Sequence, residues 1–114
     1  MKFRAMSPAR EFVVGSSDKI IIKDCGRMHL EANEQISFIT ISGKEYDVTA
    51  KNWGFYAIPS MNGRLRDQGF KTALVRNTDG KYYIMIVERE KVNQFQEYLK
   101  DDNQEVVEWL DERA

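Results

Sequence analysis

Apolar residues recur along much of this chain at every second position, the period of a half-buried strand. Glu45-Tyr46-Asp47-Val48-Thr49-Ala50 alternates with Tyr46, Val48 and Ala50 inward and the polar set outward. Arg27-Met28-His29-Leu30-Glu31 repeats the pattern with Met28 and Leu30 inward. Lys19-Ile20-Ile21-Ile22-Lys23 is a β-branched run closed by lysines, which suits a strand with charged ends. Between residues 35 and 41, Ile36 and Phe38 occupy one face, then Ile39 and Ile41 the other. A strand changes face only through an extra residue, so the pattern predicts a bulge near Phe38-Ile39 or burial on both faces.

Two dipeptides predict how strands pair. Ser42-Gly43 separates the strand ending at Ile41 from the one starting at Lys44, and Asp79-Gly80 separates residues 71–76 from residues 82–87. Asp-Gly between apolar runs signals a tight hairpin whose two central residues take positive φ. Residues 82–87, Tyr-Tyr-Ile-Met-Ile-Val, are apolar on both faces and therefore read as the middle of a sheet. The period then changes. Val92, Phe95 and Leu99 fall at i, i+3 and i+7, predicting one amphipathic helix over about 90–101. Residues 105–110 read as a strand from their β-branched and aromatic content, with a short helix as the alternative. The expected fold is α+β: a single domain over residues 1–114, mainly one curled antiparallel sheet, barrel-like if it closes, covered by a C-terminal amphipathic helix.

Composition narrows the function classes. The chain has 114 residues, a net charge of -1 and a pI near 5.9, so no global basic field favours nucleic acid. One cysteine leaves no internal disulfide and fits a reducing compartment. No apolar run approaches the roughly 20 residues that span a bilayer, and no apolar stretch follows the early positive charge of Lys2 and Arg4. A cytoplasmic protein without membrane contact is the expectation. No cofactor and no metal site are expected either: with one cysteine and one histidine, an all-protein site would have to be carboxylate-based.

No catalytic constellation stands out. His29 falls on a polar face between Arg27 and Glu31. Cys25 precedes Gly26 in what reads as a turn between two strands, and four extended residues separate it from His29 by roughly 13 Å. Phosphate-binding loops and nucleophile elbows are absent. The segment that stands apart is 53–71, where aromatics precede a Pro/Asn/Gly-marked loop and then a group of cations. Residues 51–80 carry five basic and two acidic side chains, whereas residues 81–114 carry five basic and nine acidic. Trp53 and Tyr56 can stack on a ring, Asn62-Gly63 can turn the loop off the sheet, and Arg64, Arg66 and Lys71 can hold an anionic group. Arg64 and Arg66, two apart, share a face if the chain there is extended, and replacing either should then leave stability unchanged. The opposing interpretation makes Trp53, Phe55 and Phe70 core residues and the arginines mere solvation.

Several stretches resemble a known group of proteins. They are Lys2-Phe3-Arg4-Ala5-Met6-Ser7-Pro8, Arg10-Glu11-Phe12-Val13-Val14-Gly15, Ile22-Lys23-Asp24-Cys25-Gly26, Asn33-Glu34-Gln35, Gly43-Lys44-Glu45-Tyr46-Asp47-Val48, Asn52-Trp53-Gly54-Phe55-Tyr56, Asn62-Gly63-Arg64-Leu65 and Gly69-Phe70-Lys71-Thr72-Ala73-Leu74-Val75. The likeness is to small bacterial proteins encoded among genes for surface polysaccharide, including sialic-acid-like sugars. It implies a setting and carries over no activity or catalytic residue. Two functions follow: a non-catalytic accessory protein that binds an anionic sugar, a nucleotide-sugar or a biosynthetic enzyme through 53–71, or a small enzyme acting on such a sugar through Tyr56, His29 or a carboxylate.

Overall fold

Turn chemistry and alternation build an α+β fold of mainly antiparallel sheets with one substantial C-terminal helix. The computed structural model describes residues 1–15, 20–57 and 59–113. Its strands form three sheets in place of one curled sheet: a ribbon of β1 (Lys2–Val14) and β2 (Ile20–His29); a sheet of β3 (Gln35–Ile39), β4 (Glu45–Lys51) and β5 (Gly54–Tyr56); and a sheet in the order β7-β6-β8, with β6 (Phe70–Arg76) between β7 (Tyr82–Glu88) and β8 (Glu105–Trp109). A short helix α1 (Arg64–Asp67) precedes β6, and α2 (Val92–Asp101) follows a 3-10 turn, Arg89–Lys91. The predicted helix and the predicted strand at 105–110 are both present.

The third sheet holds the core. Leu99 of α2 is buried against Ala73 and Val75 of β6, with Met85, Phe95, Val106 and Trp109 packed around them. The β6–β7 hairpin closes at Asp79-Gly80, but only Gly80 takes positive φ, at 77°. Asn77 supplies the rest: its carbonyl accepts from the Gly80 amide, and its side-chain oxygen accepts from the amides of Asp79 and Lys81. This is a type I turn followed by a left-handed glycine, and the two-residue turn expected from Asp-Gly is corrected accordingly. The central position expected for residues 82–87 is corrected too. β6 is the middle strand and β7 the edge, so Tyr82, Tyr83 and Ile84 are exposed.

In the second sheet Ser42-Gly43 turns β3 into β4, with Gly43 at φ 88°. No bulge forms near Phe38-Ile39; β3 stays in register and ends at Ile39, leaving Phe38, Ile39 and Ile41 exposed. The expected outward position of Asp47 is also overturned: it is buried because Ser37 and Arg64 both engage its carboxylate.

The ribbon replaces another expectation. β2 runs unbroken through Cys25-Gly26, and the irregularity lies opposite, where β1 slips register between Ala5 and Arg10. Gly26 is required by close approach, because a Cβ there would lie 2.5 Å from the Arg4 carbonyl oxygen. Lys19, expected at the start of this strand, lies outside the described residues. The Met1 ammonium reaches Glu34 at 3.1 Å, Gly15 packs beside the Asp102 carboxylate, and Val14 and Gly15 line a cleft with Tyr83, Met85 and Tyr98, while β1 and β2 pair mainly with each other. The radius of gyration is 15.6 Å, whereas a compact chain of about this length has about 13 Å. Among the described residues seven apolar side chains are buried and seventeen large ones are exposed, so the fold presents much of its apolar surface outward.

Candidate functional site

Residues 53–71 divide into an aromatic hairpin and a helical loop. Lys51 pairs with Gly54, leaving Asn52 and Trp53 as a two-residue turn, and Gly54 adopts φ 141°, a conformation that favours glycine. Trp53 at the tip is 73% exposed, Phe55 64% and Tyr56 53%. Neither Trp53 nor Phe55 is therefore a core residue; only Phe70 of the three proposed for packing is buried. Register places Phe55, Ala50, Val48, Tyr46, Ile36 and Phe38 on one face of the second sheet. Phe38 stacks on Tyr46 with ring centroids 6.5 Å apart, and burial raises the Tyr46 hydroxyl above the ordinary tyrosine pKa. Phe38 was missed by the sequence reading because a β3 apolar residue registers there as core.

The loop is organised by Ser60. Its carbonyl accepts the amides of Gly63 and Leu65, and its hydroxyl accepts the Arg64 amide at 2.8 Å. Gly63 must be glycine, since a Cβ would stand 2.6 Å from that hydroxyl. Asn62-Gly63 thus starts a helix in place of an extended loop, and Leu65, fully buried, anchors it.

Helical geometry separates the predicted cations. Residues two apart on a helix are about 200° apart around its axis, so Arg64 and Arg66 diverge. Arg64 pairs with buried Asp47 of β4. Arg66 donates to the Asn62 carbonyl at 2.6 Å and reaches the Asp111 carbonyl at 3.5 Å. Lys71 lies on β6, bonded to Asp111 at 3.0 Å and Glu112 at 3.2 Å, with its ammonium 4.8 Å from the Trp109 ring centroid. Asp111 is buried; burial alone would raise its pKa, but the Thr72 amide at 2.9 Å and the Lys71 ammonium outweigh that and lower it. Desolvation likewise opposes the charge on Lys71, while Asp111 and Glu112 prevail and raise its pKa. The structure brings Arg66 to the Asp111 carbonyl and Lys71 to its carboxylate, and takes Arg64 to Asp47. No common anion cradle results.

Arg64 is therefore structural, against the expectation that its loss is silent. Arg64→Ala should lower stability by about 1–2 kcal/mol, because Asp47 keeps only the Ser37 hydroxyl for its buried charge. Arg66→Ala, whose partners are backbone carbonyls and not a charged group, should cost about 0.5 kcal/mol. Urea denaturation of the two variants distinguishes them.

The remaining candidates stay apart. Cys25 is exposed, its thiol 3.5 Å from the Lys23 carbonyl oxygen, and His29 is exposed four residues further along the same strand. No group of three or more His, Cys, Asp or Glu among the described residues is placed to hold a metal ion, and none of their helices is long and apolar enough to cross a membrane. A solvent-open cleft of about 740 Å³ lies between α2 and β8, lined by Gln96, Lys100, Gln104, Glu108, Trp109 and Arg113 among others, and none of the six predicted site residues borders it. No protein-family model, curated protein or solved structure matches the chain.

Proposed function

We propose that this protein is a non-catalytic accessory protein that binds a partner enzyme through the aromatic β4–β5 hairpin. The observation that carries this reading is the joint exposure of Trp53, Phe55 and Tyr56 on one short hairpin. Exposed aromatics at a rigid turn supply large contact area at small entropic cost, and such residues dominate protein interfaces. The commitment of Arg64 and Lys71 to internal carboxylates weighs against an anionic sugar, which would have to displace those contacts. The same commitment weighs against a sugar-processing enzyme built on this segment. The resemblance to proteins encoded beside surface-polysaccharide genes supports a cytoplasmic sugar-biosynthetic enzyme as the partner.

The test titrates purified enzymes of surface-polysaccharide sugar synthesis, and separately a set of nucleotide-sugars, into the full chain by calorimetry. Saturable binding to an enzyme is expected. Trp53→Ala should weaken it by about thirtyfold, the effect of removing an interface aromatic worth about 2 kcal/mol, with the thermal midpoint unchanged. Binding of a nucleotide-sugar that Trp53→Ala leaves intact, or turnover of one, overturns the proposal.

A further inference from the structure

We infer that the free edge of β7 pairs antiparallel with β7 of a second copy, joining two third sheets into one six-stranded sheet. The inference is independent of the β4–β5 hairpin. Hydrogen-bond phase identifies which groups are offered. Asn77 donates to Lys81 at one end of the β6–β7 pair and Arg89 donates to Gly69 at the other. Odd-numbered β7 residues therefore bond to β6, and the amides and carbonyls of Tyr82, Ile84, Ile86 and Glu88 turn outward. Among the described residues those outward groups have no backbone partner, except the Glu88 carbonyl, which opens the 3-10 turn Arg89–Lys91.

The two edges of this sheet are built differently. β8 carries Glu105 and Glu108 and slips register between its pairings with Leu74 and Val75, which are devices that blunt an edge. β7 pairs with β6 without irregularity, contains no proline or lysine, and has its one charge at its last residue, Glu88. Tyr82, Tyr83 and Ile84 are exposed along it. A bare apolar edge next to a defended one points to an edge in use.

The strand is self-complementary in one register, which is what a two-fold contact requires. Outward groups meet when even-numbered residues oppose even-numbered ones. With Ile84 opposite Ile84 of the second copy, Tyr82 faces Ile86 and Tyr83 faces Met85, so residues 82–86 meet apolar against apolar. The same alignment carries Arg89 of the second copy toward the turn at Asn77–Gly80, where Asp79 is exposed, and neither charge has an ion pair among the described residues. Sliding by two residues sets Lys81 against Arg89 in one direction, a like-charge clash, and a lysine against Met85 in the other. A notch of about 280 Å³ beside Ile86, Val87, Phe95 and Tyr98 lies at this edge, on the side where an incoming Tyr83 would arrive. Exposed Tyr98 extends the apolar strip toward the roughly 800 Å² per partner that stable association uses.

Sedimentation equilibrium on the full chain should give twice the 13.3 kDa chain mass, and Ile84→Lys, which sets two lysines face to face, should give the monomer with its circular dichroism retained. Should Ile84→Lys unfold, cysteine pairing decides. In a Cys25→Ser background, Ile84→Cys places two Cα atoms about 5.5 Å apart across the axis and should form an intermolecular disulfide on mild oxidation. Tyr82→Cys, about 13 Å from its symmetry mate, should not. A wild-type monomer at the highest soluble concentration, no crosslink at position 84, or equal crosslinking at position 82 overturns the inference.

Discussion

Replacing Asp111 by alanine is expected to destabilise the protein by about 2–3 kcal/mol, lowering the thermal midpoint on the order of 10 °C. The side chain is 2% exposed and acts as a junction. One oxygen takes the Thr72 amide at 2.9 Å; the other takes the Lys71 ammonium at 3.0 Å. Alanine orphans a buried amide in the central strand and leaves Lys71 with Glu112 alone. Asp111→Asn keeps an acceptor for the amide and loses the charge, so about 1 kcal/mol is expected. The wild-type dependence on pH has a defined sign. The folded carboxyl of Asp111 sits below its unfolded value, so its contribution is complete above the ordinary aspartate range and is lost as pH falls through the depressed value. The raised Lys71 contributes fully below the ordinary lysine range and loses its contribution as pH rises through its folded value. Denaturation midpoints against pH should therefore fall at acid pH in the wild type, and fall less in Asp111→Asn. Equal acid slopes in both would refute this role.

Leu99→Ala is expected to cost about 3 kcal/mol, the range for an aliphatic side chain truncated to leave a cavity. Leu99 is 1% exposed and is the buried residue through which α2 meets Ala73 and Val75 of β6. Its neighbours Phe95 and Trp109 contact each other edge-on at 5.9 Å, which limits collapse into the space left behind. Val107, 47% exposed on β8, supplies the comparison: Val107→Ala should shift the urea midpoint little. A loss below about 1 kcal/mol for Leu99→Ala would mean that the helix is not anchored through this core.

Local signals in the sequence reached as far as neighbouring strands and no further. Ser42-Gly43 and Asp79-Gly80 specified two hairpins because a glycine with positive φ is demanded by the turn itself. Val92, Phe95 and Leu99 specified the face of α2 by spacing alone. The edge position of β7 was not legible, since apolar residues on both faces describe a strand's composition and not what flanks it. β1 was not legible either, because the alternation of Lys2-Phe3-Arg4-Ala5 breaks at Met6-Ser7-Pro8, where a proline argues against a strand.

For the candidate site, Trp53 and Tyr56 are exposed, while the fate of the cations depended on distant partners. Lys71 meets Asp111 forty positions away and Arg64 meets Asp47 across a sheet boundary, separations that no spacing rule registers. The helix over Arg64–Asp67 is a single turn held by Ser60 and Leu65, too short for periodicity to reveal.

The ribbon of β1 and β2 has a consequence for how this protein comes apart. A two-stranded pair without a third strand is marginal by itself: only its inward-facing amides bond across the pair, and pairing is interrupted between Ala5 and Arg10. Fraying that begins at its ends removes few contacts from β6, so the ribbon opens at a free energy well below that of the whole molecule. Exchange of its amide hydrogens with solvent then reports local opening, whereas the amides of Ala73–Arg76, which lie between β7 and β8, should exchange only when the third sheet is lost. The ribbon and the β6 core are then expected to open as separate units, the ribbon first while the core stays intact.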